Sequence, residues 1–188
     1  MKTALRLSSV VLAILTFPLL ATAQLETIDA TARGTGTQLR HTISIKLIIN
    51  RYSTPEDKQT LVNAFKQGQQ RGLVNALQRM QSSGRIQIPG TVGFDLAYVE
   101  VVPTPTGRRV RFITNRRIAF AEAAWNTRSR AFDLTAGEVN INDQDARQSS
   151  GTLLPAAQIT INKDGDVQFN LFQNQWNLTN IIDWRPKG

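Results

Sequence analysis

The chain has 188 residues, with 22 Lys and Arg against 14 Asp and Glu, no cysteine, one histidine, 41% hydrophobic and 7% aromatic residues. That length and apolar content suit one globular domain able to bury roughly 70% of its unfolded surface, and they exclude intrinsic disorder. The missing thiols exclude a cysteine nucleophile, a thiolate zinc site and disulfide staples, while the lone His41 excludes two-histidine metal sites and histidine acid–base pairs.

Residues 1–23 read as a cleaved export signal. Lys2 and Arg6 are basic, Val10 to Leu20 is an apolar run, and Ala21-Thr22-Ala23 is a small-x-small cleavage site. The segment is too short for a spanning helix, so no transmembrane segment is expected once it is removed. Residues 24–188 then form a single globular domain with net charge 20 − 14 = +6. An exported domain without disulfides relies on its core alone, which fits a bacterial periplasmic or secreted protein better than an animal extracellular one.

In chain order, Glu26 to Arg33 has strand character and Gly34-Thr35-Gly36 reads as a turn. His41, Ile43, Ile45, Leu47 and Ile49 then share one parity, the period-2 signature of a half-buried strand. Ser53-Thr54-Pro55-Glu56-Asp57 is a helix start, with Thr54 or Ser53 as cap, Pro55 in the first turn and two acids at the positive end of the dipole. Leu61, Val62, Ala64 and Phe65 recur at helical spacing, as do Leu73, Val74, Ala76, Leu77 and Met80 after Gly68 and Gly72. This predicts two helices, or one bent helix, with Gly84 as C-cap.

Strands follow to the end. Phe94 to Val102 and Arg108 to Asn115 flank a loop at Pro103 to Gly107, and pairing Val102 with Arg108 sets Tyr98 against Phe112 and Leu96 against Thr114. That register places Arg109 and Arg111 together on one face. Ile118 to Ala124 is a further strand candidate. Phe132, Leu134 and Ala136 hold one parity and Val139 and Ile141 the other, which predicts a β-bulge at Gly137. Around Asn162-Lys163-Asp164-Gly165, only a loop with left-handed Gly165 sets Ile161 against Val167, Ile159 against Phe169 and Ala157 against Leu171, all apolar. The expected fold is α+β: about eight antiparallel strands in a strongly twisted sheet or partial barrel, with a two-helix insert after the second strand. An outer-membrane barrel is disfavoured by that insert and by the missing aromatic girdles.

No nucleotide, cofactor or serine-hydrolase motif appears. Asn140, Asn142, Asp143 and Asp145, and Asp164 with Asp166, do not match a calcium loop and read as turn residues. The arginines carry the functional expectation. Arg108, Arg109, Arg111, Arg116, Arg117, Arg128 and Arg130 fall within 23 residues that hold one acid, Glu122, and Trp125 lies among them. Guanidinium forks bind carboxylate, sulfate and phosphate bidentately, which points to a non-catalytic domain binding an anionic envelope polymer, an acidic polysaccharide or an acidic protein. Nucleic acid is a poor partner, since stacking aromatics do not alternate with the cations. The alternative is a small carboxylate-based hydrolase or isomerase with Glu122, Asp133 or Glu138 inside the curved sheet.

Overall fold

The computed structural model describes residues 26–36, 39–118, 134–170 and 175–185. Nine strands, β1 (Glu26–Gly34), β2 (Thr42–Ile49), β3 (Gly84–Gln87), β4 (Phe94–Thr104), β5 (Gly107–Thr114), β6 (Leu134–Asn142), β7 (Ser150–Ile161), β8 (Val167–Asn170) and β9 (Trp176–Asp183), accompany one helix, α1 (Pro55–Leu77). The pairings β1–β2–β3–β4–β5–β6–β7–β9–β1 are all antiparallel and close an eight-stranded barrel, while β8 pairs only with β7. The sheet is therefore closed, where the sequence left open a twisted sheet or partial barrel.

Alternation explains the barrel. Inward positions of β1, β2, β5 and β6 are Ile28, Ala30 and Ala32; Ile45, Leu47 and Ile49; Val110 and Phe112; Val139 and Ile141. With Trp176 and Leu178 they fill the interior. Outward positions of β1 and β2 carry Asp29, Thr31, Arg33, Ser44 and Lys46, with Lys46 and Asp29 paired at 3.2 Å. That polarity is the reverse of a lipid-facing barrel wall. No described helix is long and apolar enough to cross a membrane.

A second apolar layer lies outside the barrel. Leu61, Leu73 and Leu77 of α1 pack on Ala97, Ile113, Leu134, Ala136, Leu154 and Ile159, together with Val167 of the β7–β8 hairpin. This layer corrects the Gly137 expectation. Pairing between β5 and β6 runs unbroken from Gly107↔Asn142 to Ile113↔Ala136, so no bulge falls at Gly137. The apolar parity switches because Leu134 and Ala136 face the outer layer and Val139 and Ile141 the interior. Gly137 is required by packing: a Cβ there would lie 2.5 Å from the Phe112 ring.

Three further expectations are corrected. The two-helix insert is a single helical element with a kink, Gly68 and Gln69 leaving helical geometry while the helix resumes after them. Across the kink a Cβ at Gly72 would sit 2.0 Å from the Ala64 carbonyl oxygen, so the two halves meet closely. Gln78, not Gly84, caps the C-terminus, and Gly84 opens β3. The start is a capping box of Thr54 with Asp57. In the β4–β5 hairpin Val102 pairs with Arg109 rather than Arg108, because β4 continues through Pro103 to Thr104. A register shift between Leu96 and Tyr98 restores Leu96↔Thr114. The β7–β8 hairpin has the expected register, Ile161↔Val167 and Ile159↔Phe169, with Gly165 at φ 80°. The leader, the Ile118–Ala124 strand candidate beyond Ile118, Phe132 and the Leu171 pairing lie outside the described residues.

Candidate functional site

The inward parity of β5 carries a charge into the barrel. Arg108 is 5% exposed and lies at the end of the barrel where β1 starts and β9 stops. Its Nη2 donates to Glu26 Oε1 at 2.5 Å and to Asp183 Oδ2 at 2.8 Å, and its Nη1 to Asp143 Oδ1 at 3.4 Å. Tyr52 donates its hydroxyl to the other oxygen of Glu26. In the eight-strand ring β1 and β5 stand four strands apart in either direction, so this ion pair spans the mouth. Burial alone would lower the Arg108 pKa, but the hydrogen bonds to Asp183 and Glu26 outweigh it and raise the group further. Arg108 is a strut and offers no free fork to a ligand.

Arg109 and Arg111 do share the outer face, as expected. The one-residue change of register puts Glu100 directly opposite Arg111, and the two pair at 2.7 Å. Arg111 also donates to the Val167 carbonyl at 2.7 Å, lies 4.4 Å above the Phe169 ring and approaches Glu138 at 3.8 Å. These contacts pin the β7–β8 hairpin to the barrel wall. Beside them burial and the neighbouring Glu100 raise the Tyr98 hydroxyl well above its ordinary value, and Tyr98 donates to Glu100 at 2.9 Å. Arg109 is half exposed, bonded to Asn140 at 2.7 Å with Glu138 at 3.9 Å. Arg116 lies 5.1 Å over the Phe94 ring, and among the described residues neither Arg116 nor Arg117 forms an ion pair. The hairpin thus does not gather its arginines: one is inside, one is locked, and Arg109 keeps partial freedom. Arg128, Arg130, Trp125, Glu122 and Asp133 lie outside the described residues.

Glu138 points outward between Arg109 and Arg111 and is 31% exposed. It does not face the interior, which apolar side chains fill. Asn142 accepts from the backbone N–H groups of Gln144 and Asp145, Asp145 caps a short 3₁₀ turn at Ala146–Gln148, and Asp166 pairs with Lys58 at 2.8 Å. Both oxygen-rich runs therefore hold turns, and no cluster of three or more His, Asp or Glu suited to a metal occurs among the described residues.

Further open cations lie on the helix. From Lys58 to Phe94 the sequence contains five basic residues and no acid, a signal that the denser run of arginines after Gly107 overshadows. Burying Leu61, Leu73 and Leu77 turns the opposite side of α1 to solvent, which exposes Lys66, Arg71 and Arg79. No ion pair engages these three among the described residues. Arg71 and Arg79 line a cleft of about 600 Å³ with Thr60, Gln67, Gly68 and Asn75. On the other flank of the helix a cleft of about 610 Å³ separates α1 from the β7–β8 turn. Comparison with known protein families, characterised proteins and solved structures finds no match to this chain.

Proposed function

We propose that this chain is an exported, non-catalytic binding domain for an acidic polysaccharide, held by Arg71 and Arg79 on the solvent side of α1. The carrying observation is the pairing state of the cations: Arg108 and Arg111 are committed to carboxylates of the fold, whereas Arg71 and Arg79 are exposed and lie in a run with no acid between Lys58 and Phe94. Uncompensated cations of one sign beside a cleft raise the local concentration of anions. The cleft chemistry favours a sugar polymer over an acidic protein. Gln67 and Asn75 amides and the Thr60 hydroxyl suit sugar hydroxyls, the two guanidinium forks suit carboxylate or sulfate, and the cleft offers little large apolar surface for a protein hot spot. The leader-like residues 1–23 and the absence of cysteine support export, to a bacterial periplasm or the medium.

Salt elution from immobilised heparin, an acidic polysaccharide, tests this. R71E/R79E elutes at clearly lower salt than wild type, while R109A/R116A/R117A shifts it much less. R33E/R40E changes net charge by the same amount on exposed residues away from the cleft. Equal shifts for R71E/R79E and R33E/R40E would reduce retention to net charge and end the reading.

A further inference from the structure

The second cleft has a different lining. Its floor is Val62, Phe65 and Ile161; its rim holds Lys66 and Lys163 with a single carboxylate lining residue, Asp164, while the ammonium of Lys58 is paired with Asp166. An apolar floor under an excess of cations is complementary to a molecule with an apolar body and an anionic head. The backbone adds an independent observation. Gln69 lines this cleft and stands at φ 50°, ψ −140°, a conformation suited to glycine, whereas the adjacent Gly68 adopts an ordinary φ of −143° and has nothing within 4 Å of where its Cβ would be. A glycine at 69 would relieve the strain, so the glutamine stands there at a cost to local stability. Next to it the Gln70 amide clamps β7, donating to the Ala157 carbonyl at 3.3 Å and accepting from the Ile159 N–H at 3.1 Å. Strain in that position persists because the clamp over-determines it, and it keeps Gln69 at the wall of the cleft.

We propose that this cleft binds an amphipathic anion, an acyl-chain carboxylate, with Lys66 and Lys163 gripping the head, the Gln69 amide donating to it, and Val62, Phe65 and Ile161 covering the chain. Titration calorimetry with laurate below its micelle concentration is the test, with acetate and dodecyltrimethylammonium as probes lacking the chain or the anion. Wild type binds one laurate per chain and neither control. K66E/K163E, both exposed residues, weakens laurate at least tenfold. Q69G raises Tm by about 2–4 °C yet weakens laurate at least fivefold. R71E/R79E leaves laurate affinity unchanged, which separates this site from the polysaccharide face. No laurate binding, unchanged affinity in K66E/K163E, or a stabilised Q69G that keeps full affinity would each overturn the proposal. So would a dimer dissolved by K66E/K163E and indifferent to laurate, which would give the cleft to a second copy of the chain.

Discussion

Replacing Arg108 by methionine keeps most of the aliphatic stem and removes the charge from the barrel mouth. Glu26 and Asp183 are 1% and 18% exposed at the side chain, so at least one carboxylate is left buried without its cation. Breaking a buried ion pair from one side costs about 3–5 kcal/mol, a large share of the ~5–15 kcal/mol that holds a domain together. For a domain of this size each kcal/mol moves Tm by about 2–4 °C, so R108M melts about 6–20 °C below wild type. Urea unfolding followed by tryptophan fluorescence, to which buried Trp176 contributes, gives the same loss at equilibrium, with an unchanged dependence on denaturant. The double variant E26Q/R108M removes the stranded charge as well, and is expected to recover about 2 kcal/mol relative to the additive sum of its single variants. A loss below about 1 kcal/mol for R108M, or strict additivity in the double variant, would refute the strut.

Three other outcomes follow from the packing. G137A forces a methyl against the Phe112 ring and the Thr152 carbonyl and is expected to cost about 1–3 kcal/mol in thermal unfolding, partly recovered by F112L. Q70L strands the Ile159 N–H and the Ala157 carbonyl and costs about 1–3 kcal/mol, seen as faster amide exchange along that stretch of β7. Burial pushes the Asp57 carboxyl up, but the Thr54 N–H and the Arg51 guanidinium outweigh it and hold the group below the usual carboxylate range. A depressed folded pKa contributes stability that is present above the unfolded value and lost as pH falls through the folded one. D57N is therefore less stable than wild type by about 1 kcal/mol at neutral pH, and the gap narrows as pH falls below about 4; a gap that widens as the pH falls would contradict the assignment.

Elements set by near neighbours were legible from sequence. The β7–β8 hairpin followed from one turn and three apolar pairs, and the helix start from its capping residues. The site of the kink was marked by Gly68 and Gly72. What escaped depends on partners far along the chain. Arg108 meets Glu26 and Asp183 across 82 and 75 residues, and only barrel closure brings them together. Pairing of Arg111 with Glu100 hinged on one residue of register, hidden by a strand that runs through Pro103 and by the irregularity before Tyr98. The second apolar layer mimicked a bulge at Gly137, because parity alone does not say which of two faces is covered. Cation density is highest at the hairpin, although a cation's availability is set by its acidic neighbours, and the acid-free run from Lys58 to Phe94 marks cations without a carboxylate nearby in sequence.

An amide NMR titration of the protein with a heparin-derived hexasaccharide locates the binding face most directly. Shifts are expected to concentrate at Gln67, Gly68, Arg71, Asn75 and Arg79, with residues 104–111 of the hairpin left unmoved. Shifts confined to the hairpin and absent from α1 would contradict that expectation.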